Sequence, residues 1–287
     1  MAEAAGPGGS SDTVAARVRE GVPAGSPRYF AVLFSGSSER PLLEAIYAYE
    51  AELRSIVRRH AHEAAHARLQ WWRGELDRLA AGKPSHPLGE ALLPLRGRNG
   101  VDLTLLHEMI VAADLDLSRL TYASWQELDA YLFRSAGAVQ TLLAATLAGG
   151  RGLADAEREF ARQLGNALRQ AEILAGLDAD LAQGRLYAPL EPLQASGIDP
   201  QSFAQRERGP AAEAFLAEWH GRVRAGIHAL PELLTEREHR TAQRHGLVLA
   251  ALLARRLDRP AGLPASRGGS FPLATLWTAW RTALRHT

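Results

Sequence analysis

Cysteine is absent from the 287 residues, which excludes a disulfide framework, a thiolate metal site and a cysteine nucleophile; it agrees with a reducing compartment, and the cytoplasm is the expected location. An excess of charge is missing as well. With 33 basic and 32 acidic side chains the molecule has no overall field to draw nucleic acid, so any electrostatic function has to be local. Long apolar runs are also lacking: the longest, 247–254, falls far short of the ~20 residues that cross a bilayer. No transmembrane segment is expected, which leaves peripheral contact at a membrane face. Strand signals are scarce, because β-branched runs with period-two alternation do not occur.

What is present is helical. Ala, Leu, Arg, Glu and Gln recur at helical spacing over long windows, and an apolar content of 46% is enough for a sizeable core. Residues 1–27, rich in Ala, Gly, Ser and Pro, lack an apolar signal core and read as a flexible tail with a short helix after Asp12. Residues 28–287 read as one all-α domain. Pro41 suits a first helical turn, and Leu42, Ile46, Tyr49, Leu53 and Ile56 form a stripe at steps of four, three, four and three, giving a helix to about Arg59. A second helix is expected over 61–81, stopped by Gly82, Pro84 and Pro87. Others follow over 88–95, 103–113, 124–148 (opened by a Ser124/Glu127 capping box), 154–183, 210–229, 236–256 and 273–285, with 259–272 as a Gly- and Pro-rich loop.

Several segments together resemble the squalene and phytoene synthase family. Arg28-Tyr29-Phe30, Arg40-Pro41 and Ala45-Ile46-Tyr47-Ala48-Tyr49 resemble its opening. The run from Arg68 to Leu76 with Gly82, His86 and Pro87, then Asp116, Tyr122, Leu128, Tyr131, Ala136, Gly137 and Val139, resemble its middle helices. Gly165, Ala167, Asp180, Gly184, Arg185, Tyr187 and Pro189 resemble its second aspartate-rich helix and the loop after it. The resemblance implies an isoprenoid-synthase-like bundle around a central cavity. It also implies two aspartate-rich motifs that hold magnesium against prenyl diphosphates during head-to-head condensation, since Mg²⁺ takes hard oxygen ligands.

This sequence departs from the pattern at the motifs themselves. The aspartate positions of the first are Arg54 and Arg58; in the second, Arg169, Glu172 and Gly176 stand where the family has glutamine, asparagine and aspartate, and Asp180 alone keeps its place. Guanidiniums cannot ligate a cation. A mildly cationic pocket is therefore expected, with no metal and no catalytic residue, and with Tyr47, Arg54, Arg58, Arg169, Arg185 and Tyr187 as contacts for an anion or lipid. The loss resembles the branch of respiratory complex I assembly factors, which implies a protein partner such as a respiratory complex subunit, at the inner membrane face. Two alternatives stand beside this non-catalytic reading. One is an active prenyl transferase with a shifted magnesium site on Glu50, Glu52, Asp178 and Asp180; the other is a metal-free binder of an isoprenoid or anionic lipid.

Other features have bland readings. His62-Glu63-Ala64-Ala65-His66 spells the zinc-peptidase motif HExxH, but Arg59 and Arg68 flank it and no third ligand stands out, so a solvated helix turn is expected, with His60 also on the surface. Trp71 and Trp72 are expected to pack in the core. Gly184 reads equally as a helix cap and as the start of a head-group loop. Trp277 and Trp280, at i and i+3, are expected to seal the last helix onto the shell.

Overall fold

The computed structural model describes residues 11–118, 121–258 and 273–286. The first ten residues of the expected tail and the expected loop 259–272 lie outside them. Fifteen α-helices and no strand occur among the described residues: α1 (Ser11–Gly21), α2 (Pro27–Leu33), α3 (Arg40–Arg59), α4 (His62–Ala80), α5 (Pro87–Leu92), α6 (Thr104–Ser118), α7 (Trp125–Leu132), α8 (Ala138–Leu147), α9 (Asp155–Ala182), α10 (Leu190–Ala195), α11 (Pro200–Ala204), α12 (Pro210–Ala229), α13 (Arg237–Ala242), α14 (Arg244–Leu257) and α15 (Leu273–Arg285).

The long helices begin and end where the local chemistry requires. α3 starts with Pro41 in its first turn and buries Leu42, Ile46, Tyr49, Leu53 and Ile56. Ser124 accepts the Glu127 amide at 3.4 Å while Glu127 reaches back to the amide of Ala123 at 2.7 Å, which opens α7. α9 stops at Gly184, whose φ of 74° lets the Arg185 amide donate to Asp180 O at 2.9 Å, the closure of a left-handed C-terminal cap.

Four expectations need correction. The helix expected over 124–148 is interrupted by a π-turn at Phe133–Gly137. A Cβ on Gly165 would lie 2.4 Å from Ala136 O, so this turn and α9 meet at backbone contact, which only glycine permits. That approach fixes the rotation of α9 and, one and two turns on, points Arg169 at Asp116 of α6 and Glu172 at Arg54 of α3. The helix expected over 236–256 breaks at Gln243, whose buried side chain donates to Ala144 O at 3.3 Å and Glu157 Oε1 at 2.9 Å and draws the backbone out of helical geometry. Residues 11–21 form a helix docked on α3: a Cβ on Gly21 would sit 2.4 Å from Tyr47 O, and Arg17 pairs with Glu52. Finally, α15 rests on Ala279 and Ala283, while Trp277 and Trp280 are 57% and 42% exposed. Alanine is small enough to bring α15 close to α14, and the indoles point away.

Two large apolar clusters and a small one around Ala144, Leu153 and Ala161 make the core among the described residues. One large cluster joins α3, α4, α5, α6 and α8, with Trp72 fully buried against Tyr49 and His86. The other joins α7, α9, α12 and α14, with Trp219 at its centre. The polar faces of α3, α6 and α9 meet between them.

Candidate functional site

Where those faces meet there is a cleft with about 660 Å³ of space between the atoms, open solvent at its mouth included. Leu53, Val57, Met109, Ala112 and Ala113 from α3 and α6 form an apolar wall. Arg54, Arg58, Asp116, Arg169, Asp180, Arg185 and Tyr187 supply the polar surface. The structure thus brings together seven of the residues picked out from sequence: Glu50, Arg54, Arg58, Arg169, Asp180, Arg185 and Tyr187.

Tyr47 does not reach the cleft. It is fully buried, with its hydroxyl 2.9 Å from His245 Nε2. Ser35 Oγ donates to Ala31 O at 2.8 Å and lies 3.1 Å from His245 Nδ1, so Nδ1 carries the proton and Nε2 accepts from Tyr47. Burial pushes this imidazole down to about 4. Tyr47 is therefore a core residue, because the stripe that carries Arg54 and Arg58 has turned inward by two helical turns before Arg54.

The cleft's charges fall into two groups. In the first, Glu50, 3% exposed, accepts from Arg28 at 2.7 Å and 3.1 Å and from Arg54 at 2.6 Å. Arg54 also donates to Glu172 at 2.8 Å, so one guanidinium ties α3 to α9. Arg169 lies 3.4 Å from Glu172 and donates to the hydroxyls of Tyr131 and Tyr187 at 2.5 Å and 3.1 Å; both hydroxyls donate to Asp116 at 2.8 Å. Three arginines thus face three carboxylates. Burial alone would push the Glu172 carboxyl up, but Arg54, Arg169 and Arg28 outweigh it and hold it at about 2.

The second group is loosely held. Arg58 has no ion pair among the described residues; burial, Arg54 and Arg59 push its guanidinium down from its ordinary value. Arg185 donates to Gln183 at 2.5 Å, and its Nε is buried without a hydrogen bond. Asp180 is also unpaired, its carboxyl pushed up by burial against the pull of Arg169 and Arg185. The cleft keeps about one net positive charge, as expected. That charge sits on Arg58 and Arg185 rather than on Arg54 and Arg169, because carboxylates opposite Arg54 and Arg169 already answer them.

The donor set does not suit magnesium. Glu50 and Glu172 are occupied by guanidiniums and Asp116 by two phenols; no three acidic or histidine side chains gather to hold a metal among the described residues. The shifted set does not converge either. Glu52 faces Arg17 and α1, Asp178 faces out to Arg208, and only Glu50 and Asp180 border the cleft. Gly176 lies beneath Asp180, where a Cβ would be 3.5 Å from its Oδ2. His62 and His66 sit on the exposed start of α4 with their Nε2 atoms 3.2 Å apart and Asp114 3.4 Å from His66; neither borders the cleft.

Sequence reasoning missed Arg28 and Asp116 as parts of the site, although both belong to the segments that carry the family resemblance. A conspicuous Arg-Tyr-Phe and one of two aspartates in an apolar helix were the available signals. Their partners include Glu50, 22 residues from Arg28, and Tyr187, 71 residues from Asp116, and only the fold supplies them.

The family model described as squalene/phytoene synthase matches residues 23–267. The bifunctional protein CrtB/UppS of Streptomyces coelicolor is 32% identical over 229 residues, which cover 76% of this chain and 40% of that protein. The presqualene diphosphate synthase of Rhodopseudomonas palustris is 30% identical over 207 residues, 69% of this chain and 72% of that one. The chain spans about half the length of the curated relatives first matched. The crystal structure of squalene synthase HpnC from Alicyclobacillus acidocaldarius superposes with a TM-score of 0.67 at 22% identity, covering 87% of this chain and 95% of that one.

Proposed function

This chain belongs to the squalene/phytoene synthase family, and we propose that it is a non-catalytic member that holds an anionic isoprenoid or lipid head group on arginine, without magnesium. The observation that carries this reading is Arg54. Where the resemblance puts a metal-binding carboxylate on the first motif helix, this guanidinium bridges Glu50 and Glu172. A direct ion pair thus makes the link between the two helices that the family makes through a dication, and the carboxylates it engages are withdrawn from metal binding. Arg58 and Arg185 remain to meet a phosphate, with the apolar wall of Leu53, Val57 and Met109 beside them for a chain. Charge-assisted hydrogen bonds from guanidinium suit phosphate oxygens without a metal.

The competing reading is an active prenyl transferase, and the synthase names of the relatives favour it. The role in assembling a respiratory complex that the sequence suggested gains nothing from these relatives. Calorimetry with farnesyl phosphate and farnesyl diphosphate, each with and without Mg²⁺, separates the readings. Binding should be independent of the metal and fall at least about tenfold in the Arg58→Ala, Arg185→Ala variant, the loss of one or two charged hydrogen bonds. Binding that requires Mg²⁺, together with release of diphosphate and a condensed C30 product, would establish the transferase instead.

A further inference from the structure

Among the described residues, the last helix is held on one side, by α14 and α2. Arg255 of α14 pins it, donating to Ala274 O at 2.6 Å and to Thr278 Oγ1 at 2.8 Å, and Ala279 and Ala283 lie buried beneath. Leu273, Leu276, Trp277 and Trp280 are 81%, 37%, 57% and 42% exposed. Their spacing of i, i+3, i+4 and i+7 puts them on one face. The two indoles touch, with ring centroids 4.9 Å apart. Of seven large hydrophobic side chains exposed among the described residues, five belong to α15.

The charge around this face is one-sided. Residues 259–287 contain four arginines and no acidic residue, whereas the 258 residues before them contain 29 basic and 32 acidic side chains. Arg281 and Arg285 are exposed on α15 itself. An apolar stripe with tryptophan in it, arginine alongside and no carboxylate is the composition of a helix that lies in the plane of a membrane interface. There the indoles sit at head-group level and the guanidiniums meet lipid phosphates. No helix among the described residues is long and apolar enough to cross a membrane, and α15, at 13 residues, has the size of a surface contact.

We propose that the outward face of α15 seats the protein on an anionic lipid bilayer, with Leu273, Leu276, Trp277 and Trp280 in the interface and Arg281 and Arg285 on the phosphates. The surface belongs to the exterior of the shell and does not depend on what the cleft binds.

Co-sedimentation of the full chain with phosphatidylcholine vesicles, and with vesicles in which phosphatidylglycerol replaces part of the phosphatidylcholine, tests it, with tryptophan emission recorded alongside. The protein should partition onto the anionic vesicles with a blue shift in emission and be released by salt. Trp277→Ser with Trp280→Ser should weaken partitioning more than about tenfold, from the apolar area lost. Arg281→Gln and Arg285→Gln should each weaken it about fivefold. All four positions are exposed, so melting temperatures should stay at the wild-type value and certify folding. Equal partitioning of wild type and variants, or none onto anionic vesicles, overturns the proposal. So does a concentration-dependent dimer that the tryptophan variant dissolves, or a contribution of Trp277 and Trp280, taken as wild-type emission less that of the double variant, that is already blue-shifted and shielded from acrylamide without lipid, which would mean that residues 259–272 cover the face.

Discussion

Arg54 and Arg58 are one helical turn apart on α3, have the same side chain and border the same cleft, yet they sit in opposite electrostatic surroundings. Arg54 lies between two carboxylates: its pair with Glu50 stays within α3, and its pair with Glu172 crosses from one half of the core to the other. Arg58 faces Arg54 and Arg59 and has no ion pair among the described residues. A guanidinium that is already paired contributes to the fold and has little left for a ligand. An unpaired one costs the fold something and is free to bind. The partner, and not the residue type, divides structural from ligand-holding arginines in this cleft.

The sharpest way to break this comparison is to remove each arginine in turn while keeping its stem. Arg54→Met leaves Glu50 and Glu172 short of a partner and should lower stability by about 2 kcal/mol. That is less than the loss for a fully buried pair, because Arg28 and Arg169 still reach these carboxylates and water reaches Glu172. For a domain of this size the melting temperature should fall by about 3 °C. Arg58→Met should stay within about 0.5 kcal/mol of wild type, or gain slightly from relief of like charge. Thermal denaturation followed by circular dichroism reads both, and equal effects from the two substitutions would dissolve the distinction. Acid titration adds a second reading. The Glu172 carboxyl is held at about 2 against an ordinary 4.5, so its stabilising share is complete above pH 4.5 and is lost as pH falls toward 2. In Arg54→Met that acid-labile share should shrink.

How much of this could be read in the sequence follows from the range of the interactions. Helix positions rest on local signals such as Pro41, the Ser124 cap and Gly184, and on stripes such as Leu42 to Ile56, and they were legible. The arginines at 54 and 58 on one helix face could be read as well, since a residue type needs no partner to be recognised. Pairing was not legible. Nothing near Arg54 in the chain announces Glu172, 118 residues away, and nothing near Arg58 announces the lack of a counterpart. The breaks at Phe133–Gly137 and Gln243 were hidden for the same reason, because they answer to Gly165 and to Glu157 on another helix. The outward turn of Trp277 and Trp280 was misread because a tryptophan pair at i and i+3 packs equally well inward or outward. The small buried faces of Ala279 and Ala283 decided the matter.

Asp180 offers the smallest effect and the finest test. Unlike Glu172 it is a carboxylate without an ion pair, in the same cleft as Arg58 and Arg185. If the cleft receives an anion directly, the Asp180 charge opposes it, and Asp180→Asn should tighten binding of a farnesyl sulfonate, whose head group keeps its charge, by about fivefold at neutral pH. The pH dependence has a definite sign. Burial raises the Asp180 pKa above its ordinary 3.8, so in the wild type the carboxyl takes up its proton earlier on acidification than a solvated aspartate would. Affinity for the sulfonate should then rise as pH falls, while the variant stays flat and the gap between them closes. Calorimetry across that range measures both curves. A variant that binds more weakly than wild type at neutral pH would mean that Asp180 reaches the head group through a cation, and would return magnesium to a cleft from which Arg54 has otherwise taken its ligands.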